Sequence, residues 1–268
     1  MGETEHIKNL LIKSVEDSKS ATQSKYTYVG PRLGVKGAAI QVMDSFISTI
    51  IDVAEESSTK ELRAQYTLYA DEGETLFVIN DEPVDYLPPH PVGDFFEAVP
   101  DLLMTIIAST DSPGGLSAGK SDAIYAHDSD NEDDVGEIDV YISLPPDSQG
   151  IIDYLNDSRL ELCGILSHEM QHVVQKMVCG FKLITDADQD LMNHAFDMYE
   201  IDARVEESIT LMGDDEDESD ENLFSTALSK CINNYLDRNT TQEIKGQIIE
   251  QMIQDHMVAY KNKMSELI

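Results

Sequence analysis

Basic side chains are scarce: 18 Lys and Arg stand against 52 Asp and Glu in 268 residues, a formal charge of −34 at pH 7. Nucleic-acid binders gain affinity by neutralising phosphates with cationic groups, so this balance argues against nucleic acid and against anionic membrane surfaces as partners. Cysteine is also rare. Cys163, Cys179 and Cys231 are odd in number and form no CxxC pair, the pattern of reduced packing residues in an intracellular protein. No run of about 18 apolar residues is present. The start Met1-Gly2-Glu3-Thr4-Glu5-His6 lacks the basic opening and apolar stretch of a signal peptide, and His6 stands where myristoylation wants Ser or Thr. A cytoplasmic place is therefore expected. Internal repeats are missing too, and the glycine-rich stretch Ser112 to Asp122 lacks the GxxxxGK[ST] spacing of a phosphate-binding loop. With 41% hydrophobic residues the chain is nonetheless globular. Its length suffices for one sizeable core without disulfides or a structural metal.

Periodicity divides what remains. Ile7, Leu10, Leu11 and Val15, then Val42, Phe46, Ile50 and Val53, recur at helical spacing, which predicts an N-terminal helical portion over 1–62. The period then changes to two. Tyr66, Leu68 and Ala70, a turn at Asp71-Glu72-Gly73-Glu74, and Leu76, Val78 and Asn80 predict a β-hairpin. Prolines 83, 88, 89, 91 and 100 interrupt regular structure until a helix expected through Leu102, Leu103, Ile106 and Ile107. Ile138, Val140, Ile142 and Leu144 alternate with polar residues over 137–144, and Pro145-Pro146 closes that strand, which suits a sheet edge. A long helix is expected to start at Ser158, capped with Glu161, and to stop at Gly180. Asn193 is a plausible cap for a further helix to about Met212. The expected organisation is thus a core over 63–212, an acidic linker over 213–221 and C-terminal helices over 222–268.

Within the long helix stands Ser167-His168-Glu169-Met170-Gln171-His172, an HExxH motif. Histidines four apart on a helix share a face, so both imidazoles can reach one Zn²⁺, while the glutamate one position round reaches a metal-bound water without ligating. The apolar residues Leu162, Cys163, Leu166, Met170, Val173, Val174 and Met177 crowd the other side at about 100° per residue. A catalytic zinc needs a third protein ligand. The continuation HExxHxxGxxH is missing, since Gln175 and Val178 occupy the Gly and His positions. Glu200, in Tyr199-Glu200-Ile201-Asp202-Ala203-Arg204, is set among Phe196, Ala203 and Leu211 on its helix, and an acid placed there wants a cation. The plain alternative is a Glu200 to Arg204 pair at i, i+4.

His168, Glu169, His172 and Glu200 with Ala203 resemble the gluzincin branch of the zincin metallopeptidases, in which HExxH on one helix is completed by a glutamate on the next, often within an ExxA pattern. The likeness covers about fifty residues and is strongest to the compact intracellular or phage-encoded members. It implies a mainly helical α+β, zincin-like fold with a small sheet and an edge strand, Asp139, Val140, Tyr141, Ile142 and Ser143, beside the active-site helix. It further implies one Zn²⁺ per chain held by His168, His172 and Glu200, with Glu169 as general base for peptide hydrolysis. Some members place Asp four residues after the ligand glutamate; here Arg204 stands there, and Asp197 or Asp202 is the candidate to orient a ligand histidine. The oxyanion donor is left among Tyr199, His194, Tyr154 and Arg204.

The expected substrate is an extended peptide or protein, basic ones being favoured by the surface charge. Calcium is not expected: Asp186, Asp188 and Asp190 open like an EF-hand loop, but Leu191 and Asp197 stand where Gly and Glu are required. Asp128, Asp130 and Glu132 fail the same test. His90, His127 and His256 read as surface or packing residues. A reading from another class is a structural or virion-assembly protein that keeps the fold with the metal as a staple; an intact Glu169 favours the peptidase.

Overall fold

The computed structural model describes residues 34–56, 61–69, 74–84, 94–99, 101–126, 135–179, 197–213, 219–239 and 242–265. The elements are α1 (Val35–Glu56), β1 (Arg63–Tyr69), β2 (Glu74–Ile79), β3 (Glu82–Pro83), α2 (Asp94–Ala98), β4 (Leu103–Ser109), β5 (Lys120–Ala126), β6 (Glu137–Ser143), α3 (Ser148–Cys179), α4 (Met198–Leu211), α5 (Glu221–Asn239) and α6 (Gln242–Ser265), with a 3-10 turn at Pro113–Gly115. This is a mixed α+β chain, mainly helical, with one mixed six-stranded sheet. It separates into two compact units, one spanning Arg32–Leu183 and one containing α4 to α6. The divisions drawn from sequence at 62 and 212 fall elsewhere, because α1 packs with the sheet and α4 with the C-terminal helices.

In the first unit the sheet runs β3-β2-β1-β4-β6-β5. Its inner face is apolar: Ala64, Tyr66 and Leu68, Phe77, Met104, Ile106 and Ala108, and Ile138, Val140 and Ile142 are all buried. Residues two apart on a strand share a face, so these form one continuous layer for the helices. Phe46 of α1 meets it, its ring 6.4 Å from Tyr66 and 5.6 Å from Phe77. By length and composition α1 could cross a membrane; in this fold Val42, Met43, Phe46 and Ile50 are core residues. Arg159 of α3 grips Asp44 of α1 with two hydrogen bonds, 2.7 and 2.6 Å.

The expected hairpin forms, with Tyr66 opposite Phe77, but its second strand is a residue out of phase. Phe77 is buried while Leu76 is 43% exposed, and a shift of one residue exchanges the two faces. The helix expected at Leu102 to Ile107 is the strand β4. A short apolar run fits either period, and β-branched Thr105, Ile106 and Ile107 favour the strand. The strand β5 went unexpected, since its inward residues Ser121, Ala123 and Tyr125 are weakly apolar. Asp139, Val140, Tyr141, Ile142 and Ser143 form no edge: β6 pairs with β4 on one side and β5 on the other. Pro145 and Pro146 lie past the end of the ladder and remove no bond from it. Gly114, at φ +62, sits against Tyr141, and a Cβ there would lie 3.4 Å from that ring.

The long helix starts ten residues earlier than expected, and Ser158 and Glu161 are interior to it. Asp147 is the cap, its Oδ1 accepting from Gly150 N–H at 2.9 Å. Ile151, Leu155, Leu162, Cys163, Leu166, Met170, Val173 and Val174 join the core, whereas Met177, assigned to that face from sequence, is 42% exposed.

The second unit packs Ile201, Val205 and Ile209 of α4 against Phe224, Leu228 and Ile232 of α5 and Ile248, Met252 and Tyr260 of α6. Phe224 and Tyr260 stack at 3.8 Å. Lys263 is buried between Asp202 and Glu206, at 3.1 and 3.0 Å. Burial alone would lower its pKa, but Glu206 and Asp202 outweigh that and raise it. Cys163 and Cys231 are free thiols in the interior, and burial with Glu207 nearby holds the Cys231 thiol well above its usual range. His256 is buried, Nδ1 2.6 Å from Met252 O, a packing residue as read. The expectations at Ile7 to Val15, Asp71 to Gly73, Asp128 to Asp134, Gly180, Asp186 to Asp190, Asn193, His194 and most of the acidic linker lie outside the described residues.

Candidate metal centre

The spacing of HExxH becomes geometry on α3. His168 and His172 project from one face with ring centroids 4.9 Å apart and planes at 76°. His172 is buried, 4% exposed, while His168 and Glu169 are half-buried. Behind His172 lies Gln175, its amide Oε1 2.8 Å from Nδ1. An amide oxygen only accepts, so Nδ1 carries the proton and Nε2 keeps its lone pair, the form of imidazole that ligates. Outer partners of this kind fix ring orientation in metal sites. Sequence reading registered Gln175 only as a departure from a longer motif; its place three residues after His172 on a helix was the available signal.

Glu200 lies in the first turn of α4, whose N-terminus is capped by Asp197: the Asp197 carboxylate accepts from Tyr199 N–H at 2.8 Å. Glu200 Oε2 accepts from Arg204 Nη2 at 3.2 Å, with the Arg204 side chain 2% and the Glu200 side chain 13% exposed. The guanidinium in turn sits 4.3 Å from the centroid of the Tyr235 ring on α5. His168 and His172 offer two imidazoles from one face of α3, and Glu200 offers a carboxylate from the first turn of α4, residue types that can hold a metal ion. Two imidazoles and one carboxylate are a donor set for a divalent transition-metal ion.

The other sequence candidates fall elsewhere. Tyr154 precedes His168 by fourteen residues on the same helix, about 21 Å at 1.5 Å per residue, too far to serve as an oxyanion donor. Asp202 is engaged by Lys263 at 3.1 Å, and Asp197 serves as the helix cap, so neither is shown orienting a histidine. Tyr199 is half-buried beside Glu200. Among the described residues, the loss of Asp139 to Ser143 as an edge leaves β5 as the outer strand at that end of the sheet, and α3 packs beside it. Compared with known family models, curated proteins and solved structures, the chain shows no match.

Proposed function

We propose that the protein is a zinc-dependent peptidase of the gluzincin kind, with His168, His172 and Glu200 as metal ligands and Glu169 as general base. The observation that carries this reading is the pair of imidazoles on one face of α3, with ring centroids 4.9 Å apart, next to the half-buried Glu169; the resemblance supplies Glu200 as the third ligand. Bound zinc supplies a Lewis acid that polarises a peptide carbonyl and acidifies water. Glu169 takes the proton of the attacking water and hands it to the leaving amine. Gln175 holds His172 in its ligating tautomer through that cycle. Tyr199, His194 and Arg204 are the candidates for stabilising the oxyanion. The outer edge of β5 offers backbone groups to an extended substrate, whose alternate side chains would set selectivity. Intracellular action fits the free, buried thiols.

The competing reading, a zincin-like structural or assembly protein, draws on the Glu200 to Arg204 ion pair, which satisfies the carboxylate without metal. Metal analysis of parent and Glu169→Gln, with a casein and peptide-library digest of each, separates the two. Stoichiometric zinc in both with cleavage by the parent alone is the expected result. Zinc in both and cleavage by neither would favour the structural reading.

A further inference from the structure

Glu200 has partners that the hydrolytic reading leaves unassigned. Arg204, one turn on in α4, is almost fully buried, donates from Nη2 to Glu200 Oε2 at 3.2 Å and lies 4.3 Å over the Tyr235 ring. A guanidinium out of water is tolerated when both its donors and its face are engaged. Here Nη2 donates to the carboxylate and the face takes the tyrosine. All three residues belong to the same compact unit.

We propose that Arg204 and Tyr235 are positioning residues that clamp the Glu200 carboxylate through Oε2 and so set the third ligand before the ion arrives. This rests on the metal reading above. Two effects of the clamp oppose each other. Orientation of a ligand by an outer partner raises metal affinity about 10- to 100-fold, whereas a positive charge near a divalent ion lowers it. The guanidinium charge is already paired with the carboxylate, so orientation should win, and the sign of the change decides the matter.

The test is a Zn²⁺ competition titration and the visible absorption of bound Co²⁺, on the full chain, for the parent, Arg204→Met, Tyr235→Leu and Tyr235→Phe, with folding followed by circular dichroism. Arg204→Met should weaken Zn²⁺ binding about 10- to 100-fold and alter the Co²⁺ band through loss of a fixed oxygen ligand. Tyr235→Leu should weaken it about three- to tenfold, and Tyr235→Phe, which keeps a ring face, should restore it. Equal or tighter binding in Arg204→Met with the parent's Co²⁺ spectrum overturns the clamp while the parent's own zinc leaves the metal reading standing. If Arg204→Met does not fold, equal affinities in the two Tyr235 variants overturn it. A parent without stoichiometric zinc overturns both.

Discussion

Gln175 and Tyr66 each carry a consequence that a single substitution or a titration can reach. Gln175 Oε1 fixes the proton of His172 on Nδ1; Gln175→Leu keeps the buried volume and removes that acceptor. Zinc affinity should fall about tenfold with the fold intact, measured by competition titration. An unchanged affinity would mean that packing alone orients the ring. Tyr66, 1% exposed beneath α1, has its pKa pushed up by burial from 10.0 to about 12. A pKa raised on folding gives stability that is complete below the unfolded value and lost as pH rises through the folded one. Between about pH 10 and 12 the parent should therefore lose about 3 kcal/mol that Tyr66→Phe retains, read from denaturant midpoints; parallel losses in both would contradict it. At this scale the residues proposed for the site have the clearest pattern in the sequence. His168, Glu169 and His172 announce themselves by spacing, and Glu200 by its apolar neighbours. Gln175, Tyr235 and Lys263 did not, because a partner brought from another helix or from behind a ligand has no pattern of its own.

Elements were less legible, and each misreading has a cause. The apolar run at Leu103–Ser109 is too short for its period to separate helix from strand. The strand Lys120–Ala126 is hidden by serine, alanine and an exposed Ile124. At the start of the long helix the capping-box spacing of Ser158 and Glu161 misleads, because Asp147, after a proline pair, has no glutamate three residues on to mark it. The hydrogen bond from Gly150 N–H settles the cap as Asp147. Asp147→Ala should cost about 1 kcal/mol, whereas Ser158→Ala, in mid-helix, should change stability by less than about 0.5 kcal/mol. The reverse order in urea unfolding would restore the later start. Correcting the edge strand also changes where a substrate could add: β6 has both sides of its ladder filled, and β5 takes its place.

For the whole molecule, the formal charge of −34 weighs against phosphate-rich partners. It also predicts that the proposed hydrolysis favours basic over matched acidic peptides at low salt, a difference that shrinks as salt screens the field; equal rates at low ionic strength would contradict this. The division into two units was not legible, because periodicity reports which face of an element is apolar and not which core receives it. Zinc content is the most direct test of the account's central claim. Purified parent protein should carry one zinc per chain, and His172→Ala and Glu200→Ala should each lose it while remaining folded. A folded parent without zinc, or a Glu200→Ala variant that binds it as tightly as the parent, would contradict the claim.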